Sequence, residues 1–502
     1  MGEQLVNEII ANPTDISARL VYADWLEERG NDLGEFIRVQ CQIEETDERD
    51  PGYTDLLSRE MQLKRQHNKE WAAAVRPFVR NWSFRNGMVD HVCMTALDFL
   101  NHGAEIFKLA PIQHLELRDA YKYLSDLSES RLLKNLRRFS LAHCSIGRGG
   151  NPGYGEMRWE RDAREQVRIA CALELEKFLR SPNLKQIENL DLCGNSIGNS
   201  GGQAIVNAEL ENLKSLDIRL GHVGAEAVES FTKLRKLEDL KIGSSRNMSL
   251  NYSEDWIGPL PLELAKLIGQ LKSLDAGSCG ITPNGLNVIN QTKASKLESL
   301  SLNRSPFYKS GYLEADVGVD VLSDAQMLAK LKHLDVSNCG LDQDAFEILA
   351  NRSFELPLKS LIVDYNQFKP EVSKTFANGR ATQALTSLSL AGARRYQYEP
   401  TEPEHGTKWF VELVDGLEQL AELKLNRQGI TDKILDGKST GEKLKRFYHL
   451  NLQNNEIGDT GAKKFIKFGP WPRLAILNLK DNQLSKPVKE ELRKTFRWRV
   501  LF

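Results

Sequence analysis

The chain has 502 residues, of which 41% are hydrophobic and 27% charged, and its 67 basic and 69 acidic residues leave a formal net charge of −2. This apolar fraction with so little net charge excludes an intrinsically disordered chain, and 36 Gly and 17 Pro are too few for collagen. No segment reaches the roughly 18 consecutive apolar residues of a membrane-spanning helix, and the charge balance gives no overall case for nucleic acid binding.

The first residues and the cysteines bear on the cellular compartment. The opening MGEQLVNEIIANPTD is acidic, whereas a signal peptide is basic and then apolar. The seven cysteines form no CxxC pair and are spaced too irregularly for a disulfide framework. We therefore expect a cytoplasmic protein with reduced thiols, no cofactor and no bound metal.

The N-terminal 104 residues differ from the remainder of the chain and predict a small, mainly helical domain. Three short amphipathic helices are expected there, one ending near Asn12, one from about Ser17 to Arg29, and one from Gly34 to about Glu45. The proline after Asn12 and the glycine after Arg29 are residues that commonly stop a helix.

One pattern recurs about thirteen times from residue 105 to residue 485. It reads Leu-x-x-Leu-x-apolar-x-x-Asn/Cys-x-apolar, as in IENLDLCGNSI, and most copies follow one another after 24 to 27 residues. In Leu-x-apolar the two apolar side chains lie on one face of a strand, so each copy predicts a short strand. The inner apolar residues of these strands are Leu115, Phe139, Leu190, Leu216, Leu240, Leu274, Leu300, Leu334, Leu361, Leu388, Leu423, Leu450 and Leu477.

Each predicted strand is followed by a polar turn and then by a helical pattern, as in Gly340–Ser353 and Gly458–Gly469. The Asn or Cys at the strand exit is expected to bond backbone groups of the turn. This slot holds Asn195, Asn366, Asn455 and Asn482 in four copies and Cys144, Cys279 and Cys339 in three others. We therefore expect these three cysteines to be structural.

The repeated string resembles a leucine-rich repeat, and its units of strand and helix resemble the ribonuclease-inhibitor-like class. The resemblance implies an α/β solenoid over 105–485, a horseshoe with parallel strands on the concave face and helices on the convex face. The charged amphipathic segment 486–502, with its short apolar tail, is the expected C-terminal cap.

The N-terminal segment carries a second resemblance, through Ala11-Asn12-Pro13, RLVYADWLEERG (Arg19–Gly30) and GEFIRVQ (Gly34–Gln40). These residues resemble the repeat-companion domain that precedes leucine-rich repeats in bacteria, notably planctomycetes. The resemblance implies a bacterial protein with a companion domain at 1–104, and it assigns no activity.

The P-loop motif is incomplete and the metalloprotease motif is absent. Gly437-Lys438-Ser439 has the ending of a phosphate-binding P-loop, but Asp432 stands where that motif requires glycine. The string HExxH does not occur. We therefore expect no catalytic residues and a protein that is not an enzyme.

Two sets of residues are candidates for partner binding. On the concave face, residues flanking the inner leucines form a polar stripe, which is either solvated surface or a docking face for a basic or polar protein segment. Four insertions, at about 141–170, 243–262, 303–325 and 391–412, carry aromatic residues with arginines, a composition typical of interface hot spots. Their aromatic residues either bind a partner or fold back over the strand ends. The concave set is Asp191, Asp217, Arg219, Lys241, Asp275, Asn303 and Asp335, and the insertion set is Tyr154, Trp159, Tyr252, Trp256, Phe307, Tyr308, Tyr312, Tyr396, Tyr398 and Trp409.

The charge is uneven along the chain. Residues 1–60 hold 15 acidic and five basic residues, and residues 463–502 hold 11 basic and three acidic residues. Besides ordinary solvated surface, this asymmetry is compatible with head-to-tail association or with an anionic partner at the basic end.

Taken together, the sequence predicts a monomeric, non-catalytic scaffold for a protein partner, with no nucleic acid or membrane partner. The alternative is an adaptor or regulatory subunit of an enzyme complex such as a ligase or signalling system.

Overall fold

The structure is a computed structural model that describes residues 1–47, 50, 52–147, 158–243, 260–281, 283–290, 296–305, 330–351, 358–392, 405–435 and 438–502. The chain divides into two compact units. Unit 1 comprises Met1–Cys41, His67–Cys279 and Val288–Lys296, and unit 2 comprises Gln42–Gln66, Gly280–Asn287 and Leu297–Phe502. Among the described residues, none of the helices has the length and apolar character needed to cross a membrane.

The N-terminal segment forms the three expected helices and one more. They are α1 (Gly2–Ala11), α2 (Ile16–Glu27), α3 (Asp32–Glu45) and the additional α4 (Tyr53–Trp71). Asp15 caps α2, because its carboxylate accepts a hydrogen bond of 2.8 Å from the backbone amide of Ser17. In unit 1, Leu26 of α2 and Ile37 of α3 lie in one buried cluster, which fixes the packing of these two helices.

The described residues of unit 1 form eight strands, paired in chain order. The first two, β1 (Asn81–Arg85) and β2 (Met88–Thr95), form an antiparallel hairpin whose turn residues Asn86 and Gly87 both have positive φ, as a type I′ turn requires. The following strands are parallel. They are β3 (His114–Arg118), β4 (Arg138–Ser140), β5 (Asn189–Asp191), β6 (Ser215–Asp217), β7 (Asp239–Lys241) and β8 (Ser273–Asp275).

Eight parallel strands, also paired in chain order, lie in the described part of unit 2. All thirteen predicted strands are thereby confirmed as β3 to β15, and β1, β2 and β16 are additional. The strands of unit 2 are β9 (Ser299–Ser301), β10 (His333–Asp335), β11 (Ser360–Ile362), β12 (Ser387–Ser389), β13 (Glu422–Lys424), β14 (His449–Asn451), β15 (Ile476–Asn478) and β16 (Val500–Leu501).

Helices connect the strands. The inner leucines of neighbouring strands are aligned, as Leu423 with Leu450, and their side chains are buried. The fold is therefore an α/β leucine-rich repeat solenoid. The connecting and terminal helices are Ala96–Leu109, Leu124–Glu129, Arg158–Leu179, Gly198–Asn207, Ala225–Ser230, Leu260–Ile268, Pro283–Asn290, Gln343–Asn351, Ser373–Ala377, His405–Gly416, Lys438–Lys443, Asp459–Phe468 and Lys486–Phe496.

The Asn or Cys at the strand exit ties each repeat to the one before it. The Asn366 amide donates to the carbonyl of Val363 in its own repeat (3.0 Å) and to that of Val336 in the preceding one (2.9 Å). The thiol of Cys339 donates to the Leu302 carbonyl of the preceding repeat at 3.2 Å. Equivalent bonds are made by Asn195, Asn455, Asn482, Cys144 and Cys279, which confirms the structural role expected for this slot.

Helix α4 contributes to unit 2 through residues 53–66, which contact the last repeats. The Gln62 amide donates to the carbonyls of Pro472 (3.1 Å) and Leu474 (3.3 Å), and the Ser58 hydroxyl donates to the carbonyl of Arg473. Gln62 and Ser58 are both buried. Part of the acidic N-terminal segment thus contacts the basic C-terminal end within one chain, a contact that the sequence analysis did not consider.

The guanidinium of Arg65 in α4 completes this contact by donating to the carbonyl of Trp498. In the repeat of β14 the corresponding carbonyl, that of Tyr448, accepts the amides of Ala475 (2.8 Å) and Ile476 (3.0 Å) from the repeat of β15. Arg65 therefore supplies Trp498 with a donor of the kind that the amides of a neighbouring repeat supply to Tyr448.

Candidate functional site

The candidate surface is the side of the sheet away from the inner leucines, which we call the open face. In unit 1 its strand residues are aligned in one row, because Asp191 of β5 pairs with Asp217 of β6, Asp217 with Lys241 of β7, and Lys241 with Asp275 of β8. Neighbouring strands in a sheet lie about 4.8 Å apart, so these four side chains are close neighbours. The structure therefore brings together the candidates that the sequence assigned to β5 to β8.

Each aspartate of this row is fixed by its own backbone. Asp191 accepts a hydrogen bond from the amide of Cys193 (2.9 Å), Asp217 from that of Arg219 (3.1 Å), and Asp275 from that of Gly277 (3.0 Å). The bond always joins a carboxylate to the amide two residues later, which is an Asx turn. In the sequence, this turn is indicated by the recurrence of Asp directly after the inner leucine. Because of the turn, the carboxylates have defined positions.

Arg219 compensates part of the negative charge of the row. Its Nη2 lies 2.6 Å from Oδ2 of Asp217, and its Nη1 lies 3.6 Å from Oδ2 of Asp275. The hydrogen bonds to Asp217 raise the pKa of Arg219. Burial, together with the charge of Asp217, raises the pKa of Asp191. Lys241, in the middle of the row, forms no ion pair with any residue that the structure describes.

The open face of unit 2 holds the two remaining candidates, Asn303 and Asp335. Asp335 of β10 accepts hydrogen bonds from Ser301 (3.1 Å) and from the hydroxyl and amide of Ser337 (2.6 and 2.9 Å). The amide of Asn303 donates to the same Ser301 hydroxyl at 2.8 Å. These residues form a small hydrogen-bonded network in which Asp335 is the only charged member.

Asp191, Cys193 and Asp217 place one potential metal ligand each within 4.8 Å of one another. Burial raises the pKa of the Cys193 thiol to about 11, so the thiol is protonated at neutral pH, whereas metal binding requires the thiolate. Asp217 already binds Arg219. We therefore do not assign these three residues as a metal site.

Sequence reasoning missed a polar cluster on β2 and β3 of unit 1. Glu116 contacts Nε2 of His91 (3.4 Å) and the guanidinium of Arg118, and the rings of His91 and His114 lie 4.2 Å apart. The contact with His91 lowers the pKa of Glu116 to about 2. Burial, followed by the charges of His91 and Arg138, lowers the pKa of His114 to about 3, so its imidazole is neutral at physiological pH.

A second missed cluster lies on β12 to β14 of unit 2. Glu422 accepts a hydrogen bond from the Ser387 hydroxyl (2.8 Å), and it contacts Lys424 (3.0 Å) and Nδ1 of His449 (2.8 Å). Burial raises the pKa of Glu422, but the bond to His449 and the charge of Lys424 outweigh it and hold this pKa at about 2. Because the carboxylate lies between Ser387 and His449, the imidazole is not the base of the serine, as a hydrolase triad requires.

Of the ten aromatic residues in the insertion set, Trp409 is the one whose side chain the structure describes. It lies in the helix His405–Gly416, is 6% exposed, and contacts Phe368 edge to face with ring centroids 6.1 Å apart. Trp409 is thus part of the core and is not available to a partner in this structure, which corrects its assignment as a binding residue. The side chain of Trp159 and the residues Tyr154, Tyr252, Trp256, Phe307, Tyr308, Tyr312, Tyr396 and Tyr398 lie outside the described residues.

The chain is similar to one known repeat family and to several solved structures. Residues 449–465 match the family model described as Leucine Rich repeat, and no curated protein matches the chain. Among solved structures, the chain is similar to one in the yeast Rad7–Elc1 complex (15% identity, 77% of this chain and 83% of that chain, TM-score 0.44). It is also similar to an internalin from Listeria monocytogenes str. 4b F2365 (14%, 66% and 88%, 0.32) and to a chain of the TLR13–ssRNA13 complex (20%, 60% and 37%, 0.32). The chain has the fold of a leucine-rich repeat protein.

Proposed function

We propose that the chain is a non-catalytic scaffold that binds a protein partner through the open face, including Asn303 and Asp335. The aromatic residues of the insertions, apart from the buried Trp409, are proposed as a second contact with this partner. One observation carries the proposal, the row of polar side chains Asp191, Asp217, Lys241 and Asp275, whose carboxylates are fixed by Asx turns. Side chains that are ordered before binding lose less entropy when a partner docks. Lys241 offers this partner a cation.

The hydroxyl and thiol groups of the described polar clusters support the non-catalytic part of the proposal. Ser387 donates to Glu422 and is not paired with His449, and the Cys193 thiol has a raised pKa. A nucleophile activated for catalysis has an adjacent base or a lowered pKa. Neither group therefore has the surroundings of a catalytic nucleophile.

The finer features expected from the sequence belong to the same proposal. They are a bacterial companion domain at 1–104, a ribonuclease-inhibitor-like solenoid over 105–485, a cap at 486–502, a monomeric state and a cytoplasmic location. Free thiols support this location, since all seven cysteines are free and six of them are buried. Such thiols are typical of a reducing compartment.

The test is a comparison of Lys241→Glu with Lys233→Glu. Both changes reverse one positive charge, but Lys241 lies on the open face in β7, whereas Lys233 is exposed in the 3-10 turn before that strand. A partner captured by the wild-type protein is expected to bind Lys241→Glu at least about tenfold more weakly, because the cation that Lys241 offers the partner is replaced by a carboxylate. Lys233→Glu is expected to retain wild-type affinity. Equal affinities of the captured partner for all three proteins contradict the proposal.

A further inference from the structure

The C-terminal end of unit 2 carries cations that have no acidic counterpart. Residues 463–502 hold 11 Lys and Arg against three acidic residues. Arg473 is paired with Asp55 of α4. Nine further cations make no ion pair with any residue in the described ranges, namely Lys463, Lys467, Lys480, Lys486, Lys489, Arg493, Lys494, Arg497 and Arg499.

Three arginines from two distant segments, Arg65, Arg497 and Arg499, lie at or next to Trp498, and we call these four residues the Trp498 cluster. The guanidinium carbons of Arg65 and Arg499 lie 5.8 and 5.2 Å from the centroid of the Trp498 ring, within the range of cation–π contact. Burial, followed by the charges of Arg497 and Arg59, lowers the pKa of Arg499. The fold therefore holds three like charges at one half-buried indole.

Contacts to the main chain hold two of these arginines in place. Arg65 donates to the carbonyl of Trp498, and Arg499 donates to the carbonyl of Trp471 at 3.3 Å. Each uses part of a guanidinium group that carries five N–H donors, so further donors remain for a ligand. Because Arg65 comes from α4, the cluster exists only when residues 53–66 contact the last repeats.

Arg497 has an unusual backbone conformation. Its φ of 54° and ψ of −127° form a combination that glycine adopts easily and that other residues adopt at a cost of about 1–3 kcal/mol. The side chain is exposed beside the other arginines, where it adds to their mutual repulsion. The backbone strain at Arg497 and the repulsion between the arginines thus occur at the same place on the surface. A bound anion would relieve the repulsion.

We propose that the Trp498 cluster binds an acidic segment of a partner protein, with Asp or Glu carboxylates on the arginine guanidinium groups and an apolar group on the indole. Guanidinium groups match carboxylates with two parallel hydrogen bonds, and Trp and Arg are the residues most enriched in interface hot spots. A nucleic acid duplex, in contrast, is bound along a long series of phosphates. The cluster shares no residue with the open-face set proposed above, so the two proposals are tested with different variants.

The test measures fluorescence anisotropy of a labelled deca-glutamate peptide titrated with the full-length protein. We compare the wild type with Arg497→Asn, which keeps a residue that tolerates positive φ, and with Lys108→Asn, an exposed cation in a helix of unit 1. Arg497→Asn is expected to weaken binding about tenfold, the contribution of one charge-assisted contact, and Lys108→Asn to leave it unchanged. Wild-type affinity should fall when ionic strength rises from about 0.05 to 0.3 M.

Two further measurements keep the proposal falsifiable if Arg497→Asn melts early. Peptide binding should change tryptophan emission in the wild type, and this change should be absent in Trp498→Phe. Equal peptide affinity of wild type and a folded Arg497→Asn overturns the proposal, as does an unchanged emission response in Trp498→Phe. A ten-nucleotide single-stranded DNA that binds more tightly than the peptide and displaces it also overturns the proposal, in favour of a nucleic acid partner.

Discussion

At the scale of the residue, a single buried amide connects two repeats. Asn366 is 2% exposed, donates to two carbonyls, and accepts the amides of Cys339 and Leu341, both at 3.0 Å. The position of Asn in the repeated string predicted that it would bond the turn. That the bonds also reach the preceding repeat follows only from the stacking of one unit on the next.

Asn366→Ala is expected to lower the free energy of unfolding by about 3 kcal/mol, since it leaves buried amides and carbonyls without partners. Asn378→Ala is the control, because Asn378 is exposed and bonds only the carbonyl of Lys374, four residues earlier in the same helix. The control is expected to change stability by about 0.5 kcal/mol at most. Urea unfolding followed by circular dichroism measures both, and equal losses would contradict the proposed role of the slot.

Glu422 makes stability depend on pH. Its pKa in the folded chain is about 2, below the ordinary value of 4.5, so the folded state binds the proton more weakly than the unfolded state. The stabilisation is complete above pH 4.5 and is lost as the pH falls from about 4.5 to 2. Its size is on the order of 3 kcal/mol.

Glu422→Gln is therefore expected to melt at a lower temperature than the wild type at pH 7, and the difference should shrink as the pH approaches 2. Glu371→Gln, at an exposed glutamate, serves as the control and should follow the wild type throughout. Differential scanning calorimetry from pH 7 to pH 2.5 measures the effect. A difference between Glu422→Gln and wild type that stays constant over this range is incompatible with the assigned pKa.

At the scale of the element, helix α4 has an amphipathic sequence whose partner is not adjacent in the chain. Gln62 bonds the carbonyls of Pro472 and Leu474, more than 400 residues away. The repeats predicted their own strands and helices because each unit contains the same local pattern. No local pattern relates α4 to the last repeats, so sequence analysis did not place it.

Gln62→Ala is expected to increase amide hydrogen exchange in residues 471–502, because two carbonyls at the end of the repeats lose their donor. The expected local destabilisation is about 1–3 kcal/mol. Lys69→Ala, at an exposed position of the same helix, is the matched control and should leave exchange unchanged. If both variants exchange like the wild type, the contact of α4 does not stabilise these repeats.

At the scale of the whole molecule, the strands inside each unit pair with the strands that precede and follow them there in the chain. The stability of such a stack is approximately a sum of contributions from single repeats and from contacts between neighbours. Each inner leucine contributes to the stability of its own repeat and to the contacts with the neighbouring repeats. A lost leucine should therefore act on its own repeat and on the two that flank it.

Leu450→Ala, at a side chain with 0% exposure, is expected to cost about 2–5 kcal/mol and to raise hydrogen exchange mainly in β13 to β15. Leu190→Ala is the reciprocal control, and its effect should concentrate in β4 to β6 of unit 1. Mass spectrometry of exchanged peptides distinguishes the two patterns. A uniform increase over the whole chain in both variants would contradict a stability set by neighbouring repeats.

The sequence by itself determined the thirteen strands, the helices between them and the role of the strand-exit slot, because these depend on apolar spacing and hydrogen bonds inside a short repeat. The tertiary structure alone decided which side chains meet across repeats. It fixed the aspartates of the open face by Asx turns, joined Ser387, Glu422 and His449 in one cluster, and brought Arg65 to Trp498. These contacts depend on the register of stacked units and on packing between distant segments, which no periodicity of the sequence encodes.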